Sequence, residues 1–116
     1  MYQVYHNPRC KISRSVVDEL QKHNAEIQII DYQKNIPGIE ELKKLLAKLH
    51  LKPFDIIRKN EKIFKEKFQK KKFTDDEWLI IIREYPILME RPIVVKNNKA
   101  IICRPPERVE EFLLKK

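Results

Sequence analysis

Glycine occurs once in this chain of 116 residues, at Gly38, and cysteine only at Cys10 and Cys103. With no Gly/Ser-rich seam, no low-complexity stretch and no internal repeat, nothing marks a linker, so residues 1–116 read as a single domain. The longest apolar run is Trp78 to Ile82, far too short to span a membrane. The opening residues Met1-Tyr2-Gln3-Val4-Tyr5-His6 have neither the basic nor the apolar region of a secretory leader, so none is expected. Cysteines without such a leader point to a reducing cytoplasm, where a thiol is either buried or reactive. A disulfide framework is also unnecessary, because a chain of this length buries roughly two thirds of its unfolded surface. Among His6, Cys10, His23, His50 and Cys103 there is no C-x-x-C and no H-x₃₋₅-H pair, so no metal site is expected.

Basic charge is what the chain has in excess: 25 Lys+Arg against 17 Asp+Glu, a net +8. At 42% hydrophobic and 36% charged it is too apolar to be disordered. Of the basic residues 18 are lysine, and isoleucine occurs 16 times, a pairing that codon bias produces as readily as function. Arg58 to Lys72 alone holds eight basic and two acidic residues, +6 of the total. A lysine run of this kind reads as a solvated helix face, and nucleic-acid binding is not expected from it.

Tyr2-Gln3-Val4-Tyr5 alternates as a strand does, and Asn7-Pro8 breaks it. Ile12, Val16, Val17 and Leu20 then share one helical face, fading at His23-Asn24, and Ile27-Gln28-Ile29-Ile30 reads as a second strand. Strand, helix and strand within about thirty residues make a βαβ unit, which favours parallel pairing. A helical insertion is expected over about 39–85: the stripe Ile39, Leu42, Leu45, Leu46 and Leu49, a short piece from Pro53, a basic segment carrying Ile63, Phe64 and Phe68, and a helix capped by Thr74 and Glu77. Ile93-Val94-Val95 and Ala100-Ile101-Ile102-Cys103 flank the tight turn Asn97-Asn98, and Pro105-Pro106 opens a last helix with Val109, Phe112 and Leu113. The parallel pair and the hairpin give an α/β fold with a four-stranded mixed sheet flanked by helices, which is the thioredoxin-like arrangement.

Cys10 falls between a strand and a helix, so its thiol faces first-turn amides and the positive end of the helix dipole. Arg9, Lys11 and Arg14 add positive charge, and together these favour thiolate over thiol. Ser13 lies one turn on, where its hydroxyl is expected to reach the sulfur, and His6 is expected beside the thiol as a donor or positive neighbour. Cys10-Lys11-Ile12-Ser13 is C-x-x-S, so an attacked disulfide has no second motif cysteine to resolve it. Cys103, beside Ile101 and Ile102, reads as a small buried hydrophobe. Arg58, Arg91 and Arg104 stand at element ends, and a guanidinium suits a tetrahedral oxyanion only if such residues converge.

Six stretches carry a resemblance over nearly the whole chain: Tyr5-His6-Asn7-Pro8-Arg9-Cys10 with Ser13-Arg14; Ile57-Arg58-Lys59-Asn60; Lys72-Phe73-Thr74-Asp75-Asp76; Pro86-Ile87-Leu88; Glu90-Arg91-Pro92-Ile93-Val94-Val95; and Cys103-Arg104-Pro105. In this order they resemble the glutaredoxin-coupled arsenate reductases of the ArsC family, which also includes Spx-like regulators. The resemblance implies that Cys10 is the nucleophile and that Arg58, Arg91 and Arg104 hold arsenate or a similar small oxyanion. It further implies that His6 and Ser13 support the thiolate and that Arg91-Pro92 is a cis peptide beside it. Glutathione as co-substrate and glutaredoxin as partner follow, with no bound cofactor and a cytoplasmic monomer. Two other readings stay open. One is a glutathione-linked thiol reductase with a different substrate. The other is an Spx-like regulator binding RNA polymerase, with Lys62 to Lys72 in the docking face, although Spx proteins typically carry C-x-x-C where this chain has Ser13.

Overall fold

The computed structural model describes residues 1–23 and 25–113, and its contacts fall into two compact units. The first comprises Met1–Asn35 and the chain from Arg91 onward, and the second comprises Ile36–Glu90.

In the first unit, β1 (Tyr2–His6) pairs in parallel with β2 (Ile27–Asp31) and antiparallel with β3 (Ile93–Lys96), which pairs antiparallel with β4 (Lys99–Ile102). The order is β2-β1-β3-β4, the four-stranded mixed sheet expected from the parallel pair and the hairpin. The crossover from β1 to β2 is α1 (Lys11–Lys22), which buries Val16, Val17 and Leu20. Strand alternation directs Tyr2, Val4 and Val94 to the same core, which Cys103, Val109 and Phe112 complete. α1 ends at Lys22, while Asn24 of the expected boundary lies outside the described residues.

Two details of the C-terminal segment differ from expectation. The last strand stops at Ile102, not at Cys103; the Cys103 amide still donates to the Pro92 carbonyl at 3.0 Å, and its side chain is fully buried. The last helix begins as a 3₁₀ turn, Pro106–Val109, before α5 (Glu110–Leu113), because Pro105 sits in extended conformation just outside it. The single glycine, Gly38, is extended (φ −72°), so left-handed backbone falls to other residues: Asn97 (φ 57°) in the hairpin turn and His50 (φ 58°) at a helix end. Asparagine accepts that conformation most readily among the others.

The second unit is helical. α2 (Ile39–Leu49) buries Leu42, Leu45 and Leu46; a 3₁₀ turn spans Pro53–Ile56; α3 (Lys62–Lys67) and α4 (Asp75–Glu84) follow, then a 3₁₀ turn at Pro86–Leu88. Trp78 centres its core, with ring centroids 4.9 Å from Phe73, 5.3 Å from Phe54, 6.2 Å from Phe68 and 6.3 Å from Phe64. The basic segment forms a helix of only six residues, with Phe64 buried, Ile63 and Phe68 half-buried, and every lysine from Lys59 to Lys72 exposed. Lys67, Lys70 and Lys71 would crowd at three- and four-residue spacing in a longer helix, which opposes extension. At α4, Thr74 Oγ1 accepts the Glu77 amide at 3.2 Å and Glu77 Oε1 accepts the Thr74 amide at 2.8 Å. Among the described residues no helix is long and apolar enough to cross a membrane.

Thr74→Ala is expected to destabilise the protein by about 1 kcal/mol in denaturant unfolding, the usual worth of an N-cap. Leu20→Ala, which empties a fully buried site in the first unit, is expected to cost about 2–5 kcal/mol by the same measurement.

Candidate active site

The loop from β1 to α1 is held by Asn7, a residue whose signal in the sequence is only that of a strand breaker. Its side-chain Oδ1 accepts the Arg9 amide at 2.9 Å, its carbonyl accepts the Cys10 amide at 3.0 Å, and its own amide donates to Ser13 Oγ at 3.1 Å. Arg14 Nη1 adds a bond to the Pro8 carbonyl at 2.9 Å. Cys10 is left as the N-cap of α1 in extended conformation (φ −93°, ψ 122°), its carbonyl accepting the Arg14 amide at 3.0 Å. The thiol therefore stands at the end of the helix where unpaired amides and the positive dipole end favour an anion.

Two arginines far along the chain reach this thiol because of strand register. Tyr5 pairs with Ile93, which sets Arg91 near the end of β1, and Ile93 pairs with Ile102, which returns Arg104 beside Arg91. Arg104 Nη1 lies 3.8 Å from Cys10 Sγ and donates to the Arg91 carbonyl at 2.9 Å. Arg91 is buried, and its side chain hydrogen-bonds the sulfur. The Arg91-Pro92 peptide is cis, as the resemblance implied, and so is Arg104-Pro105.

Burial by itself would push the Cys10 pKa up. It is outweighed by the Ser13 backbone amide, by hydrogen bonds from Arg91 and Arg104, and by the Arg91 charge, which bring it down from 9.0 to about 7. At neutral pH a large share of Cys10 is thus thiolate, the nucleophilic form. Cys103 has no such donors, and burial holds its thiol at about 12.

Ser13 and His6 are arranged differently from the expectation. The fully buried Ser13 hydroxyl is taken by His6 Nδ1 at 2.6 Å and by the Asn7 amide, and it is the Ser13 backbone N–H that bonds the sulfur. His6 has its pKa lowered, first by burial and then by Arg14, against an opposing pull from Asp31. It is a neutral partner of Ser13 and not a positive neighbour of the thiol. Having accepted the Asn7 amide, the hydroxyl has its proton to give to Nδ1.

Arg58 belongs to the second unit. The isolated bridge Ile57–Met89, with the Arg58 amide on the Leu88 carbonyl at 2.6 Å and the Glu90 amide on the Ile56 carbonyl at 2.8 Å, fixes its backbone. Its Nε donates to Glu61 at 3.1 Å and its Nη1 to Glu90 at 3.3 Å. Neither carboxylate partner follows from the sequence pattern around Arg58, although Glu90 directly precedes Arg91. Among the described residues no group of His, Cys, Asp and Glu is arranged to hold a metal ion.

The sequence matches the model of the ArsC family over residues 5–112. It is 37% identical over 111 residues to an arsenate reductase of Escherichia coli (strain K12), covering 95% of this chain and 79% of that one. Among solved structures, a putative arsenate reductase from Yersinia pestis superposes with a TM-score of 0.91 at 34% identity, covering 96% of this chain and 99% of the other. An arsenate reductase from Vibrio cholerae superposes with a TM-score of 0.89 at 38% identity, covering 95% of each.

Iodoacetamide alkylation of the native protein is expected to modify Cys10 alone, at a rate that rises with pH through a midpoint of about 7. Arg104→Ala is expected to move that midpoint upward, because it removes a donor to the thiolate. An unchanged midpoint in that variant would remove Arg104 from the electrostatics of the sulfur.

Proposed function

The chain belongs to the ArsC family, and from that premise we propose that it is an arsenate reductase working through a covalent adduct on Cys10. The carrying observation is the Cys10 thiol with its pKa at about 7, facing the Ser13 amide and the Arg91 and Arg104 guanidiniums. A thiolate flanked by fixed cations serves both as nucleophile and as the floor of an anion site.

Arsenate is held by Arg91 and Arg104, which offset its charge and orient arsenic toward the sulfur. Cys10 attacks, an S–As bond forms, and an arsenate oxygen leaves as water after protonation. A glutathione thiolate then attacks the Cys10 sulfur. The S–S bond forms as the S–As bond breaks, its electron pair stays on arsenic, and arsenite departs with arsenic reduced from the pentavalent to the trivalent state. Glutaredoxin resolves the Cys10–glutathione disulfide and regenerates the thiolate. External thiols are required because the position of a second motif cysteine is Ser13 and because Cys103 is fully buried with its thiol held at about 12. The family resemblance adds Arg58 as a third guanidinium for the oxyanion; within the second unit its side chain is held by Glu61 and Glu90. His6, Ser13 and Pro92 support the loop and the thiolate. On this proposal the protein works in the cytoplasm as a monomer, with neither a membrane nor a nucleic acid as partner.

The test is arsenate-dependent NADPH oxidation coupled through glutathione, glutathione reductase and glutaredoxin. The native chain is expected to turn over and Cys10→Ser to be inactive. Arg91→Ala and Arg104→Ala are each expected to lose about 10²-fold in kcat/KM, as when one oxyanion donor is removed. Arg58→Ala is expected to act mainly on KM for arsenate, with the alkylation midpoint of Cys10 unchanged. Activity surviving in Cys10→Ser would overturn the mechanism. An inactive native chain that instead captures RNA polymerase subunits would favour the regulator reading.

A further inference from the structure

The parallel pairing of β1 with β2, in which His6 stands opposite Asp31, brings the loops after both strands to one sheet edge. Between them is a cavity of about 380 Å³ lined by Asn7, Pro8, Arg9, Asp31, Gln33 and Lys34. Its volume lies within the roughly 300–1,000 Å³ of small-molecule sites, and the carboxyl ends of parallel strands are where open α/β sheets place ligands. Pro8 and Arg9 directly precede Cys10 in the chain.

We infer that this cavity seats glutathione, with Arg9 and Lys34 taking its two carboxylates and Asp31 its ammonium. The inference rests on the reading of Cys10 as a nucleophile relieved by glutathione. The charge count of the cavity, two cations and one anion, is the complement of that tripeptide at neutral pH, with two carboxylates and one ammonium. Asn7 and Gln33 bring amide groups suited to its peptide bonds. Both walls are already fixed. Asn7 Oδ1 holds the Arg9 amide and Arg14 holds the Pro8 carbonyl, each at 2.9 Å. Opposite them Asp31 Oδ1 accepts the Gln33 amide at 3.3 Å, and the Asp31 carbonyl accepts the amides of Lys34 at 3.1 Å and Asn35 at 2.8 Å. A carboxylate accepts several hydrogen bonds, so Asp31 keeps capacity for an ammonium after serving Gln33. An arsenate ion has no use for Asp31, which would repel it. A zwitterionic thiol does.

Glutathione disulfide tests the cavity without arsenate. The Cys10 thiolate attacks one of its sulfurs, the S–S bond breaks, a Cys10–glutathione disulfide forms, and the other half leaves as thiolate. Mass spectrometry gives the rate, with uncharged bis(2-hydroxyethyl) disulfide and iodoacetamide as comparators. The native protein is expected to saturate with glutathione disulfide. In the double variant Arg9→Gln/Lys34→Gln the rate with glutathione disulfide is expected to fall about tenfold relative to the rates with both uncharged reagents, a ratio from which any change in the thiolate fraction of Cys10 cancels. Asp31→Asn, which retains the acceptor for the Gln33 amide, is expected to react more slowly with glutathione disulfide as well. Simple charge attraction predicts the reverse, because removing a negative charge would speed an anionic reagent; acceleration in Asp31→Asn, or equal slowing of the double variant toward all three reagents, overturns the site. In Cys10→Ser, S-methylglutathione is expected to shift the amide resonances of Asn7, Arg9, Gln33 and Lys34, and shifts confined elsewhere overturn the site too. Loss of the glutathione preference with arsenate turnover intact removes the cavity and leaves the reductase reading. The preference without any arsenate turnover does the opposite.

Discussion

The antiparallel pairing of β1 with β3 is the contact on which the chemistry of this chain depends. It joins Val4 to Val94 and Tyr5 to Ile93, and so ties the first strand of the chain to a strand nearly ninety residues on. Cys10 comes from the end of β1, whereas its two guanidinium neighbours come from the two ends of the β3–β4 hairpin. Slipping the β1–β3 register by one residue would turn Val94 out of the core and carry Arg91 past the thiol in the same movement. The core and the site are thus specified by one set of backbone hydrogen bonds. Cys103, buried with Val4 and Val94 and followed directly by Arg104, belongs to both.

The two cysteines show what surroundings do to a single functional group. Each is pushed toward the neutral thiol by burial. At Cys103 that push prevails, and the thiol ends at about 12; at Cys10 an amide and two guanidiniums reverse it to about 7. The donors are fixed before any substrate arrives. Ser13 is locked at its hydroxyl by His6 and Asn7, and Arg104 is anchored on the Arg91 carbonyl by the same nitrogen that faces the sulfur. Little reorganisation accompanies a charge change at the thiol, the condition under which electrostatic stabilisation is largest.

Much of this was legible in the residues themselves. Hydrophobic alternation and helical spacing located every strand and the longer helices, and the β-α-β … β-β-α order led to the mixed sheet. Cys10 announced itself by standing between a strand and a helix. Three things were not legible, each for a physical reason. The six-residue length of α3 reflects repulsion among lysines that a hydrophobic pattern does not register. The role of the Ser13 backbone amide, in place of its hydroxyl, depends on a competing acceptor at His6 that spacing along one helix cannot show. The three bonds of Asn7 run to positions two, three and six residues away, and an Asn-Pro pair reads from sequence only as a break.

The missing partner thiol also governs how the protein meets oxidants. Peroxide attacks thiolates, so the half-buried, largely ionised Cys10 is the target and Cys103, protonated and enclosed, is spared. A sulfenic acid formed at Cys10 finds Ser13 where a dithiol protein would offer a second sulfur, and it cannot close an internal disulfide there. Its return to the reduced state must come from a diffusing thiol, and without one it proceeds to the irreversible sulfinic and sulfonic acids. The oxidised sulfur lies outside the core cluster of the first unit, so the damage falls on the site. The lasting activity of such a molecule is then tied to the reducing capacity of its surroundings.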